Sequence, residues 1–343
     1  GDTKCSIRLD CGMQVDLRIV EEGAFGAALM YFTGSKEHNI IVRERAIKQN
    51  KRLNEYGLFD SNETCVASIT ETAMYEHLGL PYIPPEIREG KQEFAPDKTP
   101  KLIQLEDIQS DLHAHTIASD GHLTIVELAE EGKRRGFHTI AVTDHSKSSV
   151  QANGLSPERL MQHILEIRKA NEEVAGINIL AGSEVDIHAD GRLDYEDDLL
   201  AQLDVVIASP HIALKQDSSK STARLLKAIE HPLVNIIGHP TGRVIGKRPG
   251  LEPDMPTLFA AAAACKTAME INANSWRLDL RDTHVKAAIH AGAMLSINTD
   301  AHAASDFDQL RYGILTARRG WLTSEKCINC FTFDNLMTWL ARS

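Results

Sequence analysis

At 343 residues, 43% hydrophobic and 25% charged, the chain has the make-up of a globular protein with room for one large domain and a smaller one. Its formal net charge of −11 excludes gripping nucleic acid by bulk positive charge, although carboxylates that hold cations become locally positive. No apolar run reaches the length of a membrane span and no signal-peptide pattern opens the chain, so no membrane partner is expected.

The start, GDTKCSIRL, lacks a methionine, as in a fragment of a longer protein. MQVDLRIV reads as a strand, GAFGAALMYFTG as a small-residue segment, and SITETAMYEHLGL as a short helix with Gly79 just past its end. Residues 36–52 carry six basic and two acidic side chains, either a solvated helix face or a phosphate-contacting surface. The proline-rich stretch 81–105 interrupts any regular period. The boundaries follow: a small domain over 1–85, a linker over 86–105, and the main domain over 106–343.

Beyond residue 106, short apolar strands alternate with helices. IQSDLHA, TIAVTDH, NILAGSEV, DVVIASPH, VNIIGHP, AMEINAN and MLSINTD are the strands; TIVELAEEGKRRG, SPERLMQHILEIRKANEEVAG, KSTARLLKAIEH, MPTLFAAAAACKT and THVKAAIHAG are helices. Seven βα units over about 240 residues match a closed α/β barrel, with chemistry at the strand C-terminal ends. An open doubly wound sheet would carry a glycine-rich nucleotide fingerprint after its first strand, and none is present.

The strand ends are rich in metal-ligating residue types. They present His113, His115 and nearby Asp120, then His145, Glu184, His211, His239, and finally Asp300 and His302. Side chains two apart on an extended segment point the same way, so His113 with His115, and Asp300 with His302, can each serve one ion. Imidazoles with carboxylates suit Zn, Mn or Fe, and nine donors exceed the needs of one ion. Two or three divalent ions bridged by Glu184 are expected; they would lower the pKa of a bridging water and neutralise phosphoester oxygens. His138, His163, His188, His231, His284 and His290 lack this placement and are read as surface or packing residues. Arg243, Arg248, Lys147 and Arg277 are candidate phosphate contacts, with solvated loops as the alternative. The six cysteines are too sparse for a disulfide framework, which favours a reducing cytoplasm, and CINC at 327–330 reads as two ordinary thiols.

DLHAHTIASDG, TDHS, GSEVDI, SPH, GHPTGR and NTDAH resemble the polymerase and histidinol phosphatase (PHP) domain. The resemblance covers about 106–343. It implies a (β/α)7 distorted TIM-like barrel with a trinuclear metal site that hydrolyses phosphoesters, and all nine ligand positions are filled. QVDLRIV, YFTGSKEHN, RERA and LNEYGLF resemble the palm end and thumb of bacterial family X DNA polymerases, a small α+β domain. On that likeness Asp16 matches a third catalytic carboxylate, Tyr31, Phe32 and Gly34 a motif beside the incoming nucleotide's sugar, and Asn54 with Glu55 a thumb motif. The paired carboxylates of that site would lie upstream, so polymerisation by this chain is not expected. The resemblance implies a monomeric, cytoplasmic bacterial enzyme acting on DNA 3′ ends (3′–5′ exonuclease, 3′-phosphatase or abasic-site endonuclease) in primer-template or gapped DNA. A metal-bound hydroxide would attack phosphorus without a protein nucleophile. A small-molecule phosphatase and a non-catalytic DNA-positioning module are the alternatives.

Overall fold

The computed structural model describes residues 3–95 and 100–341, and the chain falls into two units, Gly1–Pro100 and Lys101–Ser343. In the first, β1 (Lys4–Arg8) and β2 (Gln14–Arg18) form an antiparallel hairpin in which Ile7, Val15 and Leu17 are exposed. Helices α1 (Phe25–Thr33) and α2 (Lys36–Lys48) follow, then the antiparallel sheet β3 (Arg52–Asn54), β4 (Gly57–Phe59) and β5 (Cys65–Ala67), and helix α3 (Glu71–Glu76). Ser35 and Thr70 accept from the backbone N–H groups of His38 and Ala73, capping α2 and α3. Met30, Val42, Leu58, Met74 and Leu78 fill the core. Within the basic stretch, Arg45 and Lys51 donate to the carbonyls of Leu78 and His77 just past α3, where a helix leaves acceptors unpaired.

The stretch expected as a linker, 86–105, begins with interior contacts. Arg88 is buried, donating to the Ile83 carbonyl and, at 2.6 Å, to Glu71. Buried Glu93 takes the Nδ1 proton of His38 at 3.1 Å, and Tyr75 donates its hydroxyl to Nε2 at 2.8 Å. Charges inside a protein need such partners, so this stretch is part of the unit's interior rather than a solvated tether. Residues 96–99 lie outside the described residues.

The second unit alternates β6 (Ser110–Asp111), α4 (Ile125–Arg134), β7 (Thr139–Val142), α5 (Pro157–Glu173), β8 (Asn178–Asp186), α6 (Asp197–Leu200) and β9 (Val205–Ser209). It continues with α7 (Ser218–Ile229), β10 (Ile236–Ile237), α8 (Met255–Cys265), β11 (Ala268–Asn272), α9 (Asp282–Ala291), β12 (Leu295–Asn298), α10 (Leu310–Arg319) and α11 (Phe333–Leu340). The seven strands from β6 to β12 are parallel and lie side by side in sequence order. This is the TIM-like (β/α)7 barrel the alternation required. Thr124 and Glu127 form a capping box at α4, and Ser156 with Pro157 starts α5.

Strand alternation sorts the core into two layers. Ile140, Val142, Ile179, Ala181, Val206 and Ala208 pack outward against the helices. Leu112, Ala141, Leu180, Val205, Ile207 and Ile236 pack with Ile328, Leu336 and Leu340 of the C-terminal segment. The Leu340 carbonyl accepts from Asn235 just before β10, so that segment lies at the strand N-terminal ends and leaves the opposite rim for chemistry.

Between β6 and β12 the ring closes through a single Ala114–Ala301 bridge and buried side chains. Asn329 donates to the Ser110 carbonyl at 3.0 Å and to Asn298 Oδ1 at 2.9 Å, and accepts from the Ile297 N–H at 2.8 Å. Asn298 Oδ1 accepts from the Leu112 N–H, while Asp111 accepts from the Thr299 hydroxyl at 2.6 Å. The CINC motif thus contributes its asparagine as a suture, while Cys327 and Cys330 are free thiols beside it. Removing these partners leaves several buried donors and acceptors unmet. Asn329→Ala is expected to lower unfolding free energy by about 2–4 kcal/mol, read from urea denaturation monitored by circular dichroism.

Candidate metal centre

All nine residues from the strand ends converge on one rim. His113 and His115 follow β6, Asp120 the turn after it, and His145 β7; Glu184 lies within β8, His211 follows β9, His239 β10, and Asp300 and His302 β12. Two backbones are bent to bring them in: His239 has φ +24° and Asp300 φ +54°. Such conformations cost energy in a non-glycine residue and cluster at working sites. Gly238 allows the first bend, because a Cβ there would sit 2.3 Å from Ser209 Oγ.

Glu184 is the centre. Its Oε1 lies 2.8 Å from His239 Nε2, 3.3 Å from His211 Nε2 and 3.4 Å from His113 Nε2. Its Oε2 lies 2.9 Å from His145 Nδ1 and 3.7 Å from His115 Nε2. Asp300 Oδ1 stands 3.0 Å from His115 Nε2 and 3.5 Å from His113 Nε2. Asp120 Oδ1 is 3.3 Å from His302 Nε2 and 3.6 Å from His145 Nε2. Three overlapping groups have donor atoms close enough to hold a metal ion: His115, Asp120, His145 and His302; His113, His115 and Asp300; and His145, Glu184 and His211. His239 stands outside these groups and meets the cluster through Glu184.

Several of these atoms are close without being hydrogen-bonded. His113 Nε2, His115 Nδ1, His145 Nδ1, His239 Nδ1 and Glu184 Oε2 are buried with no hydrogen-bond partner among the described residues. His145 Nδ1 and Glu184 Oε2 sit at 2.9 Å yet are misaligned for a hydrogen bond. Buried polar atoms are otherwise almost always satisfied, so ring nitrogens and one Glu184 oxygen left unmet around the cluster fit cations there.

A second layer, which sequence reasoning passed over, aims the imidazoles. Glu270 of β11 accepts from His113 Nδ1 at 2.8 Å and from the His239 N–H at 2.6 Å. Asp186 accepts from His211 Nδ1 at 2.9 Å, and the Asp300 carbonyl accepts from His302 Nδ1 at 2.8 Å. Each fixes the tautomer that leaves Nε2 facing inward. Asn272 donates to Asp300 Oδ2 at 3.0 Å. His163, expected in a packing role, is buried and bonds Asp144, which holds the Thr116 N–H and hydroxyl. The missed signal was an acid inside an otherwise apolar strand: AMEINAN supplied no rim ligand, but Glu270 shares a face with Asn272.

Charge is balanced by shifted protons. Burial resists ionisation of Glu184, yet the imidazoles of His211, His113 and His145 hold its carboxyl well below the usual range. Burial disfavours the proton on His211, but Glu184 and Asp186 outweigh it and push the pKa up to about 10. His302 is likewise buried, and is raised by Asp120 and Asp300 to about 9. His115, buried and beside His145 and His302, drops to about 4.

Of the candidate phosphate contacts, Arg277 reaches the cluster. Its Nε is 3.7 Å from Asp300 Oδ2, and its buried Nη1 has no hydrogen-bond partner among the described residues. Arg243 is spent on the carbonyls of Arg277 and Leu278, and Arg248 on that of Gly242, so both brace their loop. Lys147 is exposed. In the first unit, Asp16 pairs with Lys4 at 3.6 Å; Phe32 stacks edge-on with Tyr31 and carries Arg18 over its ring. Gly34 takes φ +71° at the end of α1. Asn54 Oδ1 accepts from the Tyr56 and Gly57 N–H groups, a turn-forming role.

The profile of the PHP domain matches residues 111–248, and that of the DNA polymerase beta thumb residues 28–89. A probable phosphatase from Shewanella sediminis is 30% identical over 242 residues, covering 68% of this chain and 93% of the relative. The chain belongs to the PHP family. A polymerase-beta-type thumb precedes its PHP domain, and a DNA polymerase/3′–5′ exonuclease PolX from Bacillus subtilis is 42% identical over 347 residues. That alignment covers 100% of this chain but 61% of the PolX relative, so the chain spans about three fifths of that protein. A histidinol phosphate phosphatase from Lactococcus lactis superposes at TM-score 0.47 with 16% identity over 62% of this chain and 93% of that one, too loosely to bear further weight.

Two outcomes follow for this PHP domain. Glu270→Gln removes the charge and leaves one acceptor oxygen for two donors, His113 Nδ1 and the His239 N–H, so metal affinity is expected to fall about 10- to 100-fold, measured by titration with competing chelator. Because His211 and His302 are protonated below about pH 10 and about pH 9, a cation must displace protons, and apparent affinity rises with pH through the neutral range. Calorimetric titration in two buffers of different ionisation enthalpy should show net proton release at pH 7; none would contradict the assignment.

Proposed function

We propose that the chain hydrolyses phosphoesters at DNA 3′ ends, as a 3′–5′ exonuclease, with two or three divalent ions (Zn, Mn or Fe) held by His113, His115, Asp120, His145, Glu184, His211, His239, Asp300 and His302. The carrying observation is the set of buried, unpartnered ring nitrogens gathered with the unpartnered Oε2 of Glu184. The DNA substrate is supported by the PolX relative that aligns along the whole chain and by the thumb ahead of the barrel. 3′-Phosphates and abasic sites are further substrates of the same chemistry.

When bound, the ions supply a Lewis acid for phosphoryl oxygens and a water activated near neutral pH. The chain's own residues do the positioning. Glu270, Asp186 and the Asp300 carbonyl hold His113, His211 and His302 in the tautomer that points Nε2 into the cluster. Arg277 extends a free guanidinium nitrogen beside Asp300, placed to neutralise a non-bridging phosphate oxygen. No protein nucleophile is invoked.

We further read the chain as part of a cytoplasmic bacterial repair polymerase that acts as a monomer on primer-template or gapped DNA. Among the described residues, no helix is long and apolar enough to cross a membrane. The open hairpin bearing Asp16 fits a palm sheet that continues into other segments. A second reading, a small-molecule phosphatase of the histidinol-phosphatase type, is favoured by the probable phosphatases that align with the barrel.

One assay separates the two. Metal-loaded protein given a 5′-labelled primer-template is expected to produce a ladder of shortened primers; phosphate release from histidinol phosphate alone would favour the second reading. His113→Ala is expected to cut the rate at least 1000-fold while circular dichroism is unchanged, and full retained activity would remove the cluster from the reaction.

A further inference from the structure

Beside the cluster, the loops after β10 and β11 frame an open cleft of about 920 Å³, lined by Thr241 two residues past His239 and by Asp279 two residues past Arg277. Four cations stand on its walls, Arg243, Lys247, Arg248 and Arg281, against the acids Glu252 and Asp279. The hydrogen-bond and ring partners of these cations are not acidic, although Asp279 and Asp282 act on Arg243 through space. Arg243 and Arg248 bond backbone carbonyls, Arg281 leans on His284, and Lys247 lies 5.0 Å above the ring of Trp276. In a chain of net charge −11, four cations against two acids lining one cleft leave a local excess of positive charge that suits an anion. Asp279 is wholly buried, and its Oδ1 has no hydrogen-bond partner among the described residues.

Trp276 supplies the second observation. It is 59% exposed, unusual for the largest apolar side chain, and its backbone makes two hydrogen bonds. Its N–H donates to Asn274 Oδ1 at 3.0 Å, and its carbonyl accepts from the Ile245 N–H at 2.6 Å. Lys247 occupies the side of the ring toward the basic loop, and the next residue, Arg277, reaches Asp300 in the cluster. An exposed aromatic ring beside a cationic groove is the arrangement by which single-stranded nucleic acid is held: bases stack on the ring and phosphates follow the charge.

We propose that Trp276 and this cleft form a subsite for the unpaired nucleotide chain next to the phosphate being cleaved. A nucleobase stacks on Trp276, and the neighbouring phosphodiester lies among Lys247 and Arg281. The proposal rests on the DNA reading above and sharpens it by naming the side chains that hold the strand next to the cleaved phosphate.

The test compares a 5′-labelled oligothymidylate with bis(p-nitrophenyl) phosphate on the metal-loaded chain. Trp276→Ala is expected to lower the oligonucleotide-to-ester ratio of kcat/KM about tenfold, with Trp276→Phe restoring most of it. The Lys247→Ala/Arg281→Ala double variant should lower the same ratio and flatten its dependence on salt. Ratios within twofold of wild type in both variants would overturn the subsite. Wild type that cleaves the ester but not the oligonucleotide overturns the DNA reading instead. The subsite is then decided by titrating the chelator-treated chain with oligothymidylate: tryptophan quenching that is lost in Trp276→Phe supports it, and unquenched wild type overturns it.

Discussion

A carboxylate buried among five imidazoles organises this molecule. Glu184 lies within the longest strand of the barrel, sealed from solvent, and removing a charge from water costs several kcal/mol unless it is met by opposite charge. Neutral imidazole nitrogens presenting lone pairs do not meet it; protons or cations do. That requirement explains the pKa values pushed in opposite directions across the cluster, with His211 high and His115 low, and the atoms that approach within 3 Å without hydrogen-bonding. A site built to hold positive charge has these properties.

The rest of the barrel keeps that point in place. The strand C-terminal ends bring in residues from distant parts of the chain, and the C-terminal segment occupies the other end, where Asn329 joins the first and last strands. Closing the ring matters chemically because His113 and His115 stand on one side of that seam and Asp300 and His302 on the other. An opening there would separate two halves of the cluster. Asn298 links the two concerns, since it accepts from the Leu112 N–H at the seam and donates to Glu270, which aims His113.

Much of this was legible in the residues. The period of two in the strands and the caps and glycines bounding the helices have local causes, so the seven βα units could be marked in order. The nine donors could be named because a strand end in a parallel barrel has one chemical fate, the shared rim. Arg88 and Glu93 resemble solvent-facing residues until Glu71 and His38, far away in sequence, are brought to them. Glu270 went unnoticed for the same reason: its partner His113 is 157 positions away. The arginines Arg243 and Arg248 looked equivalent to Arg277, and only the path of the loops showed which guanidinium nitrogen remains free.

By itself, the sequence determined the fold class and pointed to nine residues that the barrel gathers on one rim, because periodicity and residue type are properties of neighbouring positions. Tertiary structure alone decided which ring nitrogen faces the centre, which acids stand behind the imidazoles, how the barrel is sutured, and that a tryptophan on one loop stands beside the cations of another. Those are relations between residues far apart along the chain. Their physical basis is the pairing of buried charge and the satisfaction of buried hydrogen bonds, which exist only once the chain has closed on itself.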